Sequence, residues 1–234
     1  MSQKILITGS GRCGTHSTAH FLNGMEFNFG EKVVVQHETQ RVFFLDLLRK
    51  KYHSDIDNFF SSLKNQIEIS PYVSLLSKKP AKNSQIITLI RDGRETVRSG
   101  MNSGWFLDIS SPETSWKEFL PAFKGDRFEK CCQLWTWVYE KLESWDSKFF
   151  KLEDLINNKN VRNDLFSTLC IVPSDKPFLI SNLATSRKKR VSSMGNKELP
   201  KWEDWTPIQH EIFIKYCGKL MNKYYPDINL KKII

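Results

Sequence analysis

The sequence predicts an α/β fold with a mainly parallel central sheet, and three stretches carry that prediction. Ile5-Leu6-Ile7 is an apolar run of buried-strand type that enters the glycine-rich turn Gly9-Ser10-Gly11-Arg12-Cys13-Gly14 and then helical sequence from Thr15. Gln85-Ile86-Ile87-Thr88-Leu89-Ile90 is a second such run, ending in Arg91-Asp92-Gly93-Arg94. Cys131, Leu134, Trp135, Val138 and Leu142 recur at three- and four-residue steps, the period of an amphipathic helix. Strands alternating with helical patterns feed parallel sheets.

Taken in order, Lys4 to Thr8 reads as the first strand and Thr15 to Asn23 as the first helix. Val33-Val34-Val35 marks a second strand within Lys32 to Gln36, closed by His37-Glu38-Thr39, and Val42 to Lys51 has helical spacing. Ser70-Pro71 signals a helix start, with proline in the first turn. The strand from Gln85 and a helix from Gly93 follow, then an irregular stretch from Met101 to Gly125. The helix Arg127 to Trp145, a strand Phe149 to Leu152, a largely helical Leu155 to Cys170 and a final helix Pro207 to Tyr224 complete the chain. There is no repeat, low-complexity tract or long Pro/Gly linker, so residues 1–234 are expected to form a single domain.

Composition narrows the function classes. Of 234 residues 40% are hydrophobic and 12% aromatic, which suits a folded globule, and the formal net charge of +9 implies acidic ligands, surfaces or polymers. No apolar leader follows Met1, and no run approaches a membrane span of about 18 residues. Five cysteines with Cys131 and Cys132 adjacent make neither a zinc spacing nor a disulfide framework. A reducing cytoplasm is the expected location.

The first glycine loop is an anion-binding device: glycines let backbone N–H groups converge, and the following helix adds partial positive charge. Gly9 and Gly14 have the nucleotide P-loop spacing, but Thr15 and His16 stand where that loop needs lysine and a magnesium-binding hydroxyl. The cation sits earlier, at Arg12. At the second turn Arg91 occupies the C-terminal end of a strand, where open α/β sheets bind ligands. Ser99 lies eight residues on, about two helical turns, so that both residues can reach one phosphate.

These motifs resemble those of the PAPS-dependent sulfotransferases. Gly11-Arg12-Cys13-Gly14-Thr15-His16-Ser17 is similar to their 5′-phosphosulfate loop, and Arg91 through Ser99 to their 3′-phosphate motif. Phe149-Phe150-Lys151-Leu152-Glu153-Asp154-Leu155 resembles the family's strand-then-EDL segment. Lys201-Trp202 with Trp205-Thr206-Pro207-Ile208-Gln209 resembles its W-x-x-[FW]-T-x-x-Q region. Many members carry lysine at the place of Arg12 and threonine at that of His16. The resemblance implies a three-layer α/β/α domain, built like a P-loop nucleotide kinase, that moves a sulfuryl group from PAPS to an acceptor and releases adenosine 3′,5′-bisphosphate. It implies no metal.

On that reading Gly11, Arg12, Cys13, Gly14, Thr15, His16, Ser17, Arg91 and Ser99 bind the donor, and Arg12 relieves charge on the leaving phosphate. The basic run Arg187-Lys188-Lys189-Arg190 resembles a further 3′-phosphate contact, represented by Arg190, or is a solvated loop. His37 and Glu38 are the candidate bases, with His16 next in line. As neighbours in an extended segment, His37 and Glu38 are expected to point to opposite faces, so that only one meets the donor. Trp105 and Phe106 either line the acceptor side or cover core, while Trp202 and Trp205 read as packing anchors. The acceptor is expected to be a small molecule or glycan, with no nucleic-acid partner. The alternatives are a kinase of related fold, with Asp92 near magnesium, and a non-catalytic binder of an acidic polymer.

Overall fold

The computed structural model of the chain describes residues 4–38, 41–50, 58–60, 67–80, 84–107, 112–180 and 198–230. Five strands form one sheet: β1 (Lys4–Thr8), β2 (Val35–His37), β3 (Ile67–Ile69), β4 (Ser84–Ile90) and β5 (Lys148–Lys151). Their order is β2-β3-β1-β4-β5 and every pairing is parallel. β1 is central, with Ile5 opposite Ile67 on one side and Gln85 on the other. All five C-terminal ends therefore lie along one edge.

Alternation along the strands builds the three layers. Ile5, Ile7, Ile67, Ile69, Ile87 and Leu89 face a core shared with α1 (Thr15–Leu22), α5 (Leu152–Asn157) and α6 (Lys159–Thr168). Leu6, Ile86 and Ile90 face the opposite core. That core holds Val97 of α3 (Gly93–Asn102), Trp135 and Val138 of α4 (Arg127–Ser144) and Phe213 of α7 (Pro207–Tyr224). Phe44 of α2 (Arg41–Arg49) belongs to it too. A strand covered on both faces reads as an unbroken apolar run, which is why β1 and β4 were visible in sequence. Cys131 and Cys132 are both fully buried.

Several expected boundaries move, each for a local reason. β2 begins only at Val35, because Val33 hydrogen-bonds back to Met25 and Gly24 in a hairpin after α1. β3 was not expected: its three residues are too few for a period, and Glu68 interrupts the apolar run. Ser70-Pro71 starts a 3₁₀ turn, Pro71–Leu75, capped by the Ser70 hydroxyl. The Leu155 to Cys170 stretch divides at Asn158, whose side chain accepts from Asn160 N–H and caps α6. The irregular Met101 to Gly125 stretch carries the end of α3 and a 3₁₀ segment, Pro112–Phe119.

The T-x-x-Q element has a purely structural explanation. Thr206 caps α7 by accepting from Gln209 N–H, and the Gln209 side chain accepts in return from Thr206 N–H, a capping box. Trp202 and Trp205 are each 4% exposed and pack against Phe213. No helix among the described residues is long and apolar enough to cross a membrane.

Candidate active site

The loop after β1 is shaped by left-handed backbone. Gly11 (φ 76°), Arg12 (φ 56°) and Gly14 (φ 94°) all take positive φ, and α1 starts on Gly14 with no side-chain cap. A Cβ on Gly14 would lie 2.5 Å from Leu152 Cδ1, so the EDL segment packs directly beneath the loop. At Gly9 a Cβ would run into the Leu89 carbonyl oxygen and Cys13 Sγ. The loop thus lies flat on β4 and α5, where only glycine fits.

Cys13 corrects part of the sequence reading. Its side chain is fully buried beneath the loop beside Tyr139, and burial pushes its thiol up to about 11. It can offer only main chain to a ligand, and it is no nucleophile at neutral pH. Ser17 is likewise buried, at 4% exposed. Tyr139, on α4, donates to the Leu89 carbonyl at 3.0 Å and shares a hydrogen bond with Ser10 Oγ at 3.1 Å. Burial raises its hydroxyl well above the usual range, so it stays protonated and joins the loop to β4.

At the end of β4 the neighbouring turn is held by side chains. Asp92 caps α3 by accepting from Arg94 N–H and pairs with the Arg94 guanidinium at 2.6 Å. Asp92 N–H donates to Glu153 Oε1 at 3.0 Å, and Gly93 N–H points at Met221 Sδ at 3.4 Å. Trp135 Nε1 donates to the Arg91 carbonyl at 3.3 Å. Asp92 is 5% exposed and committed to this capping, which leaves it poorly placed for the magnesium role of the kinase alternative.

The two turns meet. Arg12 Nε donates to Ser99 Oγ at 3.0 Å, and Arg91 Nη1 donates to the Arg12 carbonyl at 3.2 Å. Arg91, Ser99 and the glycine loop therefore form one cluster. Glu95 lies one turn above Arg91 and accepts from it at 3.3 Å and from Arg98 at 2.8 Å. Burial works to raise the Glu95 carboxyl, but the hydrogen bond and charge of Arg98, with Arg91 and Arg94, hold it below its ordinary value.

His37 and Glu38 sit at the end of β2, on the same edge. His37 Nε2 is 3.1 Å from Thr15 Oγ1, at the first position of α1, so this pair touches the loop. Glu38 Oε1 lies 3.7 Å from His37 Nε2, and Glu38 Oε2 lies 3.7 Å from Arg41 Nη1. This corrects the expectation of opposite faces. Glu38 takes φ 56° instead of an extended value, and that turn brings the two side chains together. A left-handed non-glycine residue costs on the order of 1–3 kcal/mol, and such strain concentrates at functional sites. His16 stands edge-on to His37, ring centroids 5.3 Å apart. Burial, then the nearby His20, lowers its pKa below the ordinary 6.5, so it is neutral at pH 7.

Trp105 closes the far side. It packs against Gly100 of α3, and a Cβ on Gly11 would come within 3.2 Å of its ring. Arg127 of α4 fixes it there by donating to the Trp105 and Met101 carbonyls. Arg190, with the whole basic run Arg187 to Arg190, lies outside the described residues. The supporting residues Tyr139 and Arg41 were not singled out from sequence, and Trp135 was read only as a position of helical period. Tyr139 and Trp135 act at a distance along the chain, Arg41 acts three residues from Glu38, and no local motif marks them.

The family model for the sulfotransferase domain matches residues 2–156, about two thirds of the chain. That span contains the glycine loop, the His37-Glu38 pair and the whole Arg91-to-Ser99 turn. No curated protein matches the chain.

Proposed function

The chain belongs to the sulfotransferase domain family and is a transferase of sulfuryl groups, and we propose that its donor is PAPS, its acceptor a hydroxyl or amine on a small metabolite or glycan. The observation that carries the donor assignment is the junction of two anion-binding turns, Arg12 Nε to Ser99 Oγ at 3.0 Å and Arg91 to the Arg12 carbonyl at 3.2 Å. A ligand with anionic groups on both the 3′ and the 5′ oxygens of an adenosine's ribose suits such a paired cluster. Residues 1–234 act as one domain, and the four buried, unpaired thiols suit a reducing, cytoplasmic location.

Gly11, Arg12, Gly14, Thr15 and His16, with the main chain of Cys13 and Ser17, would hold the phosphosulfate end. Arg91, Ser99 and Arg190 would hold the 3′-phosphate. Bound there, the donor supplies the sulfuryl group for in-line transfer and leaves as adenosine 3′,5′-bisphosphate. Arg12 meets the charge that develops on the leaving phosphate oxygen, where a fixed cation is worth most. Glu38 takes the proton from the acceptor. His37, between Thr15 and Glu38, orients that carboxylate, so the pair works as one unit.

The test is transfer of ³⁵S from labelled PAPS to a mixed metabolite and glycan extract. The wild type should label an acceptor. Glu38→Gln should bind adenosine 3′,5′-bisphosphate as the wild type does, while label transfer falls about 10²–10⁴-fold, the scale of a lost general base. His37→Asn should also lose rate, by a smaller factor. Full transfer by both variants would remove the pair from the chemistry, and binding without any labelled acceptor would favour a non-catalytic binder.

A further inference from the structure

The turn that carries Arg91 is gripped from a part of the chain far outside the residues that the family model matches. Glu153 stands in the first turn of α5, and its carboxylate spans two partners. Oε1 accepts from Asp92 N–H at 3.0 Å, and Oε2 accepts from the Tyr225 hydroxyl at 3.0 Å. Tyr225 ends α7 and is 7% exposed. One turn back on α7, Met221 Sδ receives Gly93 N–H at 3.4 Å. The last turn of α7 therefore holds two successive amides of the Arg91 turn, one directly and one through Glu153.

The held amide decides where Arg91 points. Asp92 N–H and the Arg91 carbonyl belong to one planar peptide unit. Glu153 fixes its N–H end, and Trp135 Nε1 fixes its carbonyl end at 3.3 Å. A peptide plane pinned at both ends sets the Cα–Cβ direction of Arg91. A tyrosine keeps this arrangement only while its proton is shared with the carboxylate, and the buried Tyr225 donates it at hydrogen-bond distance.

We propose that Tyr225, acting through Glu153, is a positioning residue for Arg91, so that the seating of the C-terminal helix sets the discrimination for a 3′-phosphate. The inference rests on the proposed 3′-phosphate role of Arg91. Loss of the Tyr225 hydroxyl leaves Glu153 Oε2 without this donor and loosens the peptide plane, while the glycine loop keeps its packing on Leu152 and β4 and has only the Arg91 contact to the Arg12 carbonyl at stake. Affinity for a ligand lacking the 3′-phosphate should then fall less than affinity for one that carries it.

The experiment measures the dissociation constants of adenosine 3′,5′-bisphosphate and adenosine 5′-phosphate by calorimetry, well below each variant's melting midpoint. Tyr225→Phe should lower the preference for the bisphosphate roughly three- to tenfold, the range of one lost hydrogen bond. Glu153→Ala should lower it further, and Glu153→Gln, which keeps an acceptor for Asp92 N–H, should stand nearer the wild type. Should Glu153→Ala fail to fold, Tyr225→Phe decides alone. Variants that melt earlier with an unchanged preference overturn the proposal, since a merely structural contact does that. Arg91→Ala is run in parallel. A preference lost there but intact in Tyr225→Phe overturns the positioning role alone, and a preference intact in Arg91→Ala overturns the 3′-phosphate assignment together with this inference.

Discussion

The glycine loop after β1 and the Arg91 turn after β4 leave adjacent parallel strands at the same sheet edge, yet their helices begin in opposite ways. α1 starts on a left-handed glycine with no capping side chain. α3 starts on Asp92, and the amides of Asp92, Gly93 and Arg94 are each engaged by a side chain: Glu153, Met221 and Asp92 itself. The first turn can present backbone to an anion. The second has used its backbone to fix its own shape, so recognition falls to side chains that leave it, Arg91 and Ser99. On the proposed function, two neighbouring βα units would divide one ligand between main-chain and side-chain binding.

The sharpest way to break this comparison is to put a Cβ where each turn tolerates it least. Gly14→Ala must hold alanine at φ 94° and push it to 2.5 Å from Leu152. A left-handed alanine costs about 1–2 kcal/mol and overpacking about 1–3 kcal/mol, so a loss of about 2–5 kcal/mol is expected. Gly93→Ala meets Phe213 at 3.1 Å and Trp135 at 3.2 Å with no such backbone penalty, and should cost less. Urea unfolding of both variants checks the order. If Gly93→Ala proves the more damaging, left-handed backbone and the Leu152 contact are not what fixes the loop.

Removing the cap attacks the other turn. Asp92→Ala loses the α3 cap, worth about 0.5–2 kcal/mol, and also strips the carboxylate from Arg94. The expected result is a loss near the upper end of that range by urea unfolding. Binding of adenosine 3′,5′-bisphosphate should weaken, with adenosine 5′-phosphate binding spared. Equal weakening of both ligands would mean that the two turns are not separable.

The contrast also explains what the sequence made legible. The candidate main-chain site wrote itself into Gly9, Gly11 and Gly14, because Gly11 and Gly14 take left-handed φ and a Cβ on Gly9 would meet the Leu89 carbonyl. The side-chain site showed as Arg91 and Ser99 at a fixed interval. What the sequence hid is the support. Glu153 appeared only as part of an EDL string, and nothing in the chain announces that its two oxygens reach Asp92 N–H and Tyr225, 61 and 72 positions away. β3 was hidden by its length, and the His37-Glu38 pairing by one positive φ that no residue type signals. Local rules read periodicity and turns, while tertiary hydrogen bonds and an isolated strained residue leave no local trace.

The smallest expected effect separates the turns by pH. The Arg91 turn, residues 91–99, carries no histidine, whereas the loop carries His16. Near His16 stand the His37 ring, centroids 5.3 Å apart, and His20. Burial first, and His20 second, lower the His16 pKa in the folded protein below its unfolded value of 6.5. Between those two values the unfolded chain binds more protons than the folded one, so stability rises with pH. The contribution is complete above about pH 6.5 and is lost as pH falls through the folded value. His16→Gln removes the titration and keeps a polar side chain of similar reach. Stability measured by urea unfolding between pH 5 and pH 8 should therefore vary less in His16→Gln than in the wild type, with the difference confined to the acid side. A variant whose acid-side loss equals that of the wild type would show that His16 is solvated in the folded loop and that its lowered pKa has no hold on stability.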